Sequence, residues 1–237
     1  MIRIVSEYFL VFYIYSVVGY FCEVINIYRT HKKVVWNRGY LLGPYLPIFG
    51  FGALIITLFL ADYKDNPLNL FILGMFYCGT LEYFTSLILE KIFKLRWWDY
   101  SYKKFNINGR ICLETSVLFG IGAIVLVRYV NELLFKFLKA IPNRVIIPIA
   151  IVIFIIMVLD TIISTIEVIR LKKDLVLIDK DATAELKEKI RESLQKNYYY
   201  YVRILKAFPN LKHTDERIKK ITDLLLEKKK RGDKYEK

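Results

Sequence analysis

The stretch RWWDYSYKKFNINGRICLE, residues Arg96–Glu114, connects two long apolar segments of the sequence. Those segments, Asn69–Phe93 and Ile111–Val130, are each close to the roughly 20 residues that a helix needs to cross the hydrocarbon core of a bilayer. The stretch itself is rich in tryptophan and tyrosine, which are enriched where membrane proteins meet the water interface. We therefore predict that it lies at a membrane surface between two membrane-spanning helices.

The composition agrees with that prediction. The chain has 237 residues, of which 55% are hydrophobic, and its formal net charge is +13. Strong hydrophobicity together with strong basicity is typical of an integral membrane protein with charged segments outside the bilayer. A basic nucleic-acid-binding protein would not carry several apolar runs of this length, so we expect the lipid bilayer as a partner and no nucleic acid.

Apolar runs of suitable length predict an all-α integral membrane protein with about five transmembrane helices and a helical C-terminal tail on the cytoplasmic side. Glycines and prolines crowd the first half of the second run, so that helix is expected to be bent or interrupted there. Irregular backbone at membrane depth needs protein or water around it. The predicted spans are Tyr8–Tyr28, Gly43–Ala61, Asn69–Phe93, Ile111–Val130 and Val145–Ile169.

The distribution of lysine and arginine predicts the orientation, because cytoplasmic loops are enriched in both. The connections after the first and third spans and the C-terminal tail are basic, whereas the short loop at Asp62–Leu68 has only Lys64. With five spans the basic segments share one side. We therefore predict a multi-pass protein with its N-terminus outside and its C-terminus in the cytoplasm.

Residues 171–237 are predicted to form a basic amphipathic tail, separate from a transmembrane domain at residues 1–170. Helices are expected at Asp181–Leu194, Lys196–Phe208 and Thr214–Lys230, the last with acidic residues in its first turn and basic residues at its end. Two interpretations stay open. The tail is either a solvated cytoplasmic appendage or an interfacial element whose basic side chains bind anionic lipid headgroups.

Charged residues inside the predicted bundle map to its midplane or its cytoplasmic half, and the outer half is almost bare of them. A charge at the bilayer centre costs at least about 2.5–3.5 kcal/mol, so such groups are paired or line a wet cavity. We therefore predict a polar pocket open to the cytoplasm. Its candidate lining residues are Glu23, Asn37, Arg38, Glu82, Ser86, Glu90, Trp97, Trp98, Asp99, Asn106, Arg110, Glu114, Asp160 and Glu167.

Simpler roles are available for most of these residues. The glutamates near helix ends would reach water by snorkelling, and Trp97 and Trp98 would be interface anchors. Arg110 and Glu114 would form a bridge one helical turn apart, and Asn106 would belong to a turn. Glu82 and Asp160 lie farthest from either water layer, so they are the strongest functional candidates and the best ligands if a cation binds.

Three longer motifs resemble a known family. NRGYLLGPYLPIFGFGA (Asn37–Ala53), LEYFTSLILEKIFKLRWWDYS (Leu81–Ser101) and FNINGRICL (Phe105–Leu113) are similar to the bacterial integral membrane proteins catalogued as putative ABC-transporter type IV, or CmpB-like permeases. RILKAFPNLK (Arg203–Lys212) extends the resemblance weakly into the tail. The resemblance implies a permease-like subunit of the bacterial cytoplasmic membrane. A chain of this size would then need to form a homo-oligomer and to bind a separate ATPase subunit, because it has no GxxxxGK[ST] phosphate-binding loop of its own.

Three functional hypotheses follow. The leading one is a transport component in which Glu82 and Asp160 bind a cation or proton, Arg38 and Arg110 bind an anionic group, and the broken second span acts as a gate. The alternative is an intramembrane enzyme acting on a lipid headgroup or isoprenoid phosphate, with Mg²⁺ as the implied cofactor. The third is a scaffold or sensor that works through the basic tail and needs no pocket.

Overall fold

The computed structural model describes residues 1–32, 36, 39–94, 96–178 and 198–207. The chain in these ranges is helical apart from irregular connections and one short hairpin. Its elements are α1 (Ile2–His31), α2 (Pro47–Phe59), a 3-10 turn (Ala61–Tyr63), α3 (Pro67–Phe93), β1 (Asn106–Ile107), β2 (Ile111–Cys112), α4 (Leu113–Val125), a π-helical segment (Leu126–Val130), α5 (Asn131–Ala140), α6 (Asn143–Ile178) and α7 (Tyr198–Ala207).

Among the described residues, four helical stretches are long and apolar enough to cross a membrane, which confirms the predicted all-α membrane fold. They are Ile2–Arg29, Pro67–Phe93, Leu113–Ala140 and Asn143–Lys173, the third of which joins α4, the π-helical segment and α5. The second predicted span is shorter than expected. Helix α2 has 13 residues, or about 20 Å, against a hydrocarbon core of about 30 Å.

The sequence around Pro47 explains the short helix. Proline has no backbone N–H, fits the first turn of a helix and holds the preceding residue in an extended conformation. Leu46 is extended, with φ −120° and ψ 99°, and α2 begins directly after it. The bend or interruption expected in the first half of this span is therefore an interruption at its start, where residues 39–46 are irregular and the helix begins only at Pro47.

Helices α1 and α6 pack side by side and run in the same direction. Arg3, in the first turn of α1, donates to the side chain of Asn143 at the start of α6, and farther along both helices the rings of Phe9 and Phe154 are 5.7 Å apart. Lys172 on α6 donates to the backbone oxygen of Ile92, 2.9 Å away, near the end of α3. The C-terminal ends of α1, α3 and α6 thus form one end of the bundle, which we call the carboxyl end.

Helix α2 begins halfway along α1 rather than at its end. The backbone N–H of Leu46 donates to the backbone oxygen of Ser16 over 2.9 Å, and Ser16 is the middle residue of α1. Gly50 permits this contact, because a Cβ atom at position 50 would lie 2.3 Å from the Ser16 hydroxyl. The irregular residues 39–46 consequently lie beside the middle of the bundle.

Helices α3 and α4 make a very close contact through small residues. A Cβ atom added at Gly74 would lie 2.5 Å from the Cβ of Ala123, and one added at Gly120 would lie 2.6 Å from the ring of Phe71. Helix pairs in membranes associate mainly through such close packing, since lipid is as apolar as leucine. This contact fixes the height at which α4 starts beside α3.

Replacement of Gly74 by leucine is expected to separate α3 from α4 and to destabilise the protein by about 1–3 kcal/mol. The measurement is the denaturation midpoint in mixed SDS micelles. Gly122→Leu on the partner helix α4 is the matched control, because a Cβ atom there has no neighbour within 4 Å. Equal stability of the two leucine variants would contradict the predicted contact.

A buried polar network connects α1, α2 and α5. The Tyr15 hydroxyl donates to the Asn131 amide oxygen over 2.7 Å, and the Asn131 amide nitrogen donates to the Thr57 hydroxyl over 3.1 Å. Thr57 in turn donates to the backbone oxygen of Ala53. Asn131 follows the π-helical segment directly, so the helix irregularity ends at the residue that joins α1, α2 and α5.

The described part of the tail packs against the rest of the protein. On α7, Tyr201, Arg203, Ile204 and Ala207 are buried. A solvated appendage would expose these side chains, and an interfacial helix would present its aromatic and basic groups to lipid. The helices predicted at Asp181–Leu194 and Thr214–Lys230 lie outside the described residues, and the division of the chain at residue 170 stays a prediction.

Candidate functional site

Two buried carboxylates, Glu82 and Asp160, each contact an irregular segment of chain. Asp160 lies at the middle of α6 and contacts residues 39–46. Glu82 lies just past the middle of α3 and contacts the stretch at residues 96–112, which we call the hairpin segment. Both carboxylates are less than one tenth exposed.

Asp160 accepts four hydrogen bonds, which occupy both of its carboxylate oxygens. The backbone N–H groups of Leu42 and Gly43 donate over 2.8 Å each. The hydroxyls of Tyr45 and Ser164 donate over 2.5 and 2.8 Å. Three of the four donors belong to residues 39–46, so the carboxylate attaches this irregular segment to the middle of α6.

Arg203 binds the opposite side of the same segment. Its guanidinium donates to the backbone oxygen of Leu41 over 2.5 Å and also to that of Tyr40. Burial lowers the pKa of Arg203, and the negative charge of Asp160 acts against that shift. Asp160 thus satisfies N–H groups of the segment and Arg203 satisfies carbonyl groups, as irregular backbone within a membrane protein requires.

Arg203 was not among the predicted site residues. The sequence offers a weak signal, because an arginine two residues after the Tyr198–Tyr201 run is an expected feature of an interfacial helix. What distinguishes it is a contact across 162 positions of sequence, which no local pattern reveals.

Glu82 contacts the hairpin segment and the start of α4. The Tyr100 hydroxyl donates to one carboxylate oxygen over 3.1 Å, and the Thr115 hydroxyl reaches the other at 3.5 Å. Burial and the nearby charges of Glu82 and Glu23 raise the pKa of Tyr100 well above its ordinary value. The tyrosine is therefore a hydrogen-bond donor at neutral pH.

An ion-pair cluster extends from Glu82 toward the carboxyl end. Arg110 pairs with Glu90 at 2.7 Å and donates to Ser86 at 3.2 Å. Arg96 lies 3.7 Å from Glu90 and 3.4 Å from Asp99. The two arginines and two acids balance in charge, so these arginines are already engaged with carboxylates of the chain itself.

Asp99 is held as an anion by its neighbours. Burial alone would raise its pKa, but hydrogen bonds from the side chain and backbone of Ser101, together with the charge of Arg96, lower it below the ordinary value. Asp99 therefore closes the turn and pairs with Arg96.

The hairpin segment folds back along the last three turns of α3. The Trp98 indole N–H donates to the backbone oxygen of Arg110 over 3.0 Å, and the Asn106 side chain accepts from the N–H of Gly109 over 2.9 Å. Asn108 donates to the Tyr83 hydroxyl on α3. Gly109 has a φ of +65°, which glycine adopts without strain.

The two irregular segments meet at an aromatic contact. The rings of Tyr40 and Trp97 lie 5.9 Å apart, and Phe93 packs against the other side of Trp97 at 5.8 Å. Trp97 is only 3% exposed, so it belongs to the core and is not an interface anchor. Trp98 is half-buried. The contact of Tyr40 with Trp97 connects residues 39–46, which Asp160 holds, to the hairpin segment.

The ion pair predicted between Arg110 and Glu114 is replaced by other pairs. Arg110 and Glu114 do not bridge, because α4 begins at Leu113 and Arg110 lies in the preceding turn. Glu114 instead pairs with Lys103, and Glu167 is buried and pairs with Arg170 at 2.6 Å.

The remaining predicted site residues are Glu23, Asn37 and Arg38. Glu23 lies close enough to Glu82 and Tyr100 to affect both electrostatically. Asn37 and Arg38 lie outside the described residues. Within the described ranges, no group of three or more His, Cys, Asp or Glu side chains is arranged to hold a metal ion.

Comparison with known protein families identifies the chain's relatives. The model of one family, described as putative ABC-transporter type IV, matches residues 10–165. The chain belongs to this family. The match runs from Leu10 in α1 to Thr165 in α6, so Glu82 and Asp160 both lie within the part of the chain that matches the type IV family, whereas Arg203 lies beyond it. No curated protein and no solved structure matched the chain.

Proposed function

We propose that the chain is a permease-like subunit of a membrane transport system. The groups around Glu82 and Asp160 would line a polar pocket open to the cytoplasm, with residues 39–46 and the hairpin segment as its movable wall. Membership of the type IV family supports a membrane component of the ABC-transporter kind.

The observation that carries the proposal is the irregular backbone at residues 39–46. Non-helical backbone beside the middle of a membrane helix bundle is tolerated only where protein or a water-filled cavity surrounds it. Interrupted helices of this type form the substrate and ion sites of many transporters. Here the interruption ends on the Asp160 carboxylate, which is the kind of group that binds a cation or proton during transport.

The basic residues support a cytoplasmic location for the carboxyl end. Arg29, Lys32, Lys91, Lys94 and Lys104 lie at or near the ends of α1 and α3, on that side of the bundle. Lys136, Lys139 and Arg144 lie at the other end and weaken the bias without reversing it. This orientation places the N-terminus outside a bacterial cytoplasmic membrane and the C-terminus inside it.

ATP-driven transport would require further subunits. The sequence has no phosphate-binding loop for ATP, so a separate ATPase would supply the energy. Four long helices and one short helix also form a small transport unit, and a homo-oligomer would complete the substrate route.

The runner-up is an intramembrane enzyme acting on a lipid headgroup or isoprenoid phosphate. The observation in its favour is the set of Glu82, Tyr100 and Thr115, in which a buried carboxylate lies in contact with two hydroxyls. In that case Glu82 would be a general base or a Mg²⁺ ligand.

Glu82→Gln is expected to abolish function without unfolding the protein, because the amide keeps the shape and loses the charge. A deletion strain is complemented with wild type or variant, and its small-molecule and lipid contents are compared at equal protein levels. We expect wild type, but not Glu82→Gln, to restore the small-molecule profile. Glu132→Gln, an exposed change at the other end, is the control. A changed lipid profile with an unchanged small-molecule profile would favour the enzyme.

A further inference from the structure

The hairpin segment exposes a set of apolar side chains outside the helices. Tyr102 is 75% exposed, Phe105 78% and Ile107 56%. Lysines at 103 and 104 lie between these side chains in the sequence. Apolar and aromatic side chains alternating with lysines are the pattern that binds membrane interfaces, where apolar groups reach the acyl chains and lysines reach the phosphates.

The position of the segment is fixed by its contacts with α3. Asn108 binds Tyr83, Arg110 binds Ser86, and Arg110 also pairs with Glu90. Residues 82–93 cover about 16 Å of helix at 1.5 Å per residue. Asn108 and Arg110 of the hairpin segment therefore lie beside the last three turns of α3.

The same turns of α3 carry an exposed apolar stripe. Phe84, Ile88 and Ile92 follow one another at four-residue intervals and are each more than half exposed. Such a stripe on a membrane helix faces lipid. Because it continues to the last turn of α3, the lipid around this helix reaches the level at which the hairpin segment is attached.

Basic residues lie at the end of that stripe. Lys91, Lys94 and Lys104 are exposed. Lysines near an anionic membrane surface each contribute about 1 kcal/mol of attraction within a Debye length. The charge of this edge is therefore complementary to the phosphates of acidic lipids.

We propose that the hairpin segment is a membrane-inserted element: Phe105 and Ile107 enter the adjacent leaflet, Tyr102 lies at headgroup depth, and Lys94 and Lys104 bind anionic phospholipid headgroups. The inference is independent of the transported substrate and of the choice between transporter and enzyme. In this proposal Tyr102 and Phe105, rather than the buried Trp97, anchor the protein at the membrane interface.

The test is the membrane depth of a spin label on the full-length protein in liposomes. Cys22, which is exposed, is changed to serine, and the label is placed at Phe105→Cys. Asp62→Cys, in the exposed turn between α2 and α3, is the matched water-facing control. Accessibility to oxygen, which concentrates in lipid, is compared with accessibility to a water-soluble nickel complex.

We expect the label at position 105 to be several-fold more accessible to oxygen than to the nickel complex, and the label at position 62 to show the reverse. Replacing phosphatidylcholine by a mixture with phosphatidylglycerol should deepen the label at 105. Lys94→Gln with Lys104→Gln should remove that lipid dependence. Because Phe105 is mostly exposed, its replacement leaves the core intact, and a gel-filtration profile matching wild type checks this.

Two results would overturn the whole proposal, and a third would overturn its lipid-headgroup part. A label at 105 that is as accessible to nickel as the label at 62 would place the segment in water. A label that is shielded only when another protein is added would make the segment a protein-docking surface. A label at 105 that enters lipid but ignores lipid charge would remove the role of Lys94 and Lys104.

Discussion

Replacement of Asp160 by alanine is expected to release residues 39–46 from α6 and to lower the free energy of unfolding by about 3–5 kcal/mol. The carboxylate accepts hydrogen bonds from two backbone N–H groups and two hydroxyls. Each hydrogen bond to a charged group contributes about 1.5–3 kcal/mol, and donors left unpaired in a buried place add a further penalty. SDS-denaturation midpoints measure the loss.

Milder substitutions test whether the lost stability comes from the hydrogen bonds of the carboxylate or from any change in α6. Asp160→Asn keeps one acceptor oxygen and should lose less stability than alanine, and Tyr45→Phe removes a single hydrogen bond and should lose least. Asp62→Asn, at an exposed aspartate, should change nothing. A small effect of Asp160→Ala, equal to that of Asp62→Asn, would mean that the carboxylate does not attach the segment.

Replacement of Arg203 by methionine is expected to undock α7 and to lower the free energy of unfolding by about 2–4 kcal/mol. Methionine keeps much of the side-chain length but leaves the carbonyl groups of Tyr40 and Leu41 without donors. Limited proteolysis is the measurement, because undocking exposes Tyr201 and Ile204, which are buried in the wild type. Cleavage near α7 should be at least ten-fold faster in the variant.

Lys173→Met is the matched control for Arg203→Met, since Lys173 is an exposed basic residue near the same end of α6. It should leave both stability and cleavage unchanged. Arg203→Lys should lie between wild type and methionine, because lysine keeps the charge but not the fork of donors that reaches two carbonyls. Equal cleavage of wild type and Arg203→Met would show that α7 is held by its apolar residues alone.

The helical architecture was predictable because membrane spans depend on the length of apolar runs, a local property. The same reasoning identified Glu82 and Asp160, since a charge far from water stands out in an apolar run. It also located the weak point of the second span at Gly43, Pro44 and Pro47. Of the expected bend or interruption, the structure shows an interruption, because proline holds the residue before it in an extended conformation and α2 begins only at Pro47.

The partners of the charged residues were not predictable in the same way. Helical spacing suggested a pair of Arg110 with Glu114, but α4 starts at Leu113, so the spacing did not apply. Arg110 instead pairs with Glu90, across 20 positions, because the hairpin segment folds back along α3. That fold depends on the positive φ at Gly109 and on the hydrogen bond from Trp98 to the backbone of Arg110. The lengths of the apolar runs in the sequence give no information about either.

The burial of Arg203 was not predictable either, because its partners lie even farther away in the sequence. Sequence composition describes α7 as basic and aromatic, which fits an interfacial helix as well as a packed one. The packed position is favoured by the carbonyl groups of Tyr40 and Leu41, which lie in the irregular segment and need hydrogen-bond donors. The segment is irregular because α2 starts late. The late start at Pro47 therefore contributes to the position of the tail helix, together with the buried residues of the tail itself.

The measurement that tests the proposed function most directly is a mass-spectrometric inventory of the proteins, lipids and small ligands that copurify with the chain from its native membrane. Wild type is compared with Glu82→Gln. The transport account predicts an ATP-hydrolysing subunit in both preparations and a small ligand that is lost from the variant. A phosphorylated lipid that accumulates unprocessed on the variant, with no ATPase in either preparation, would contradict it and identify an enzyme.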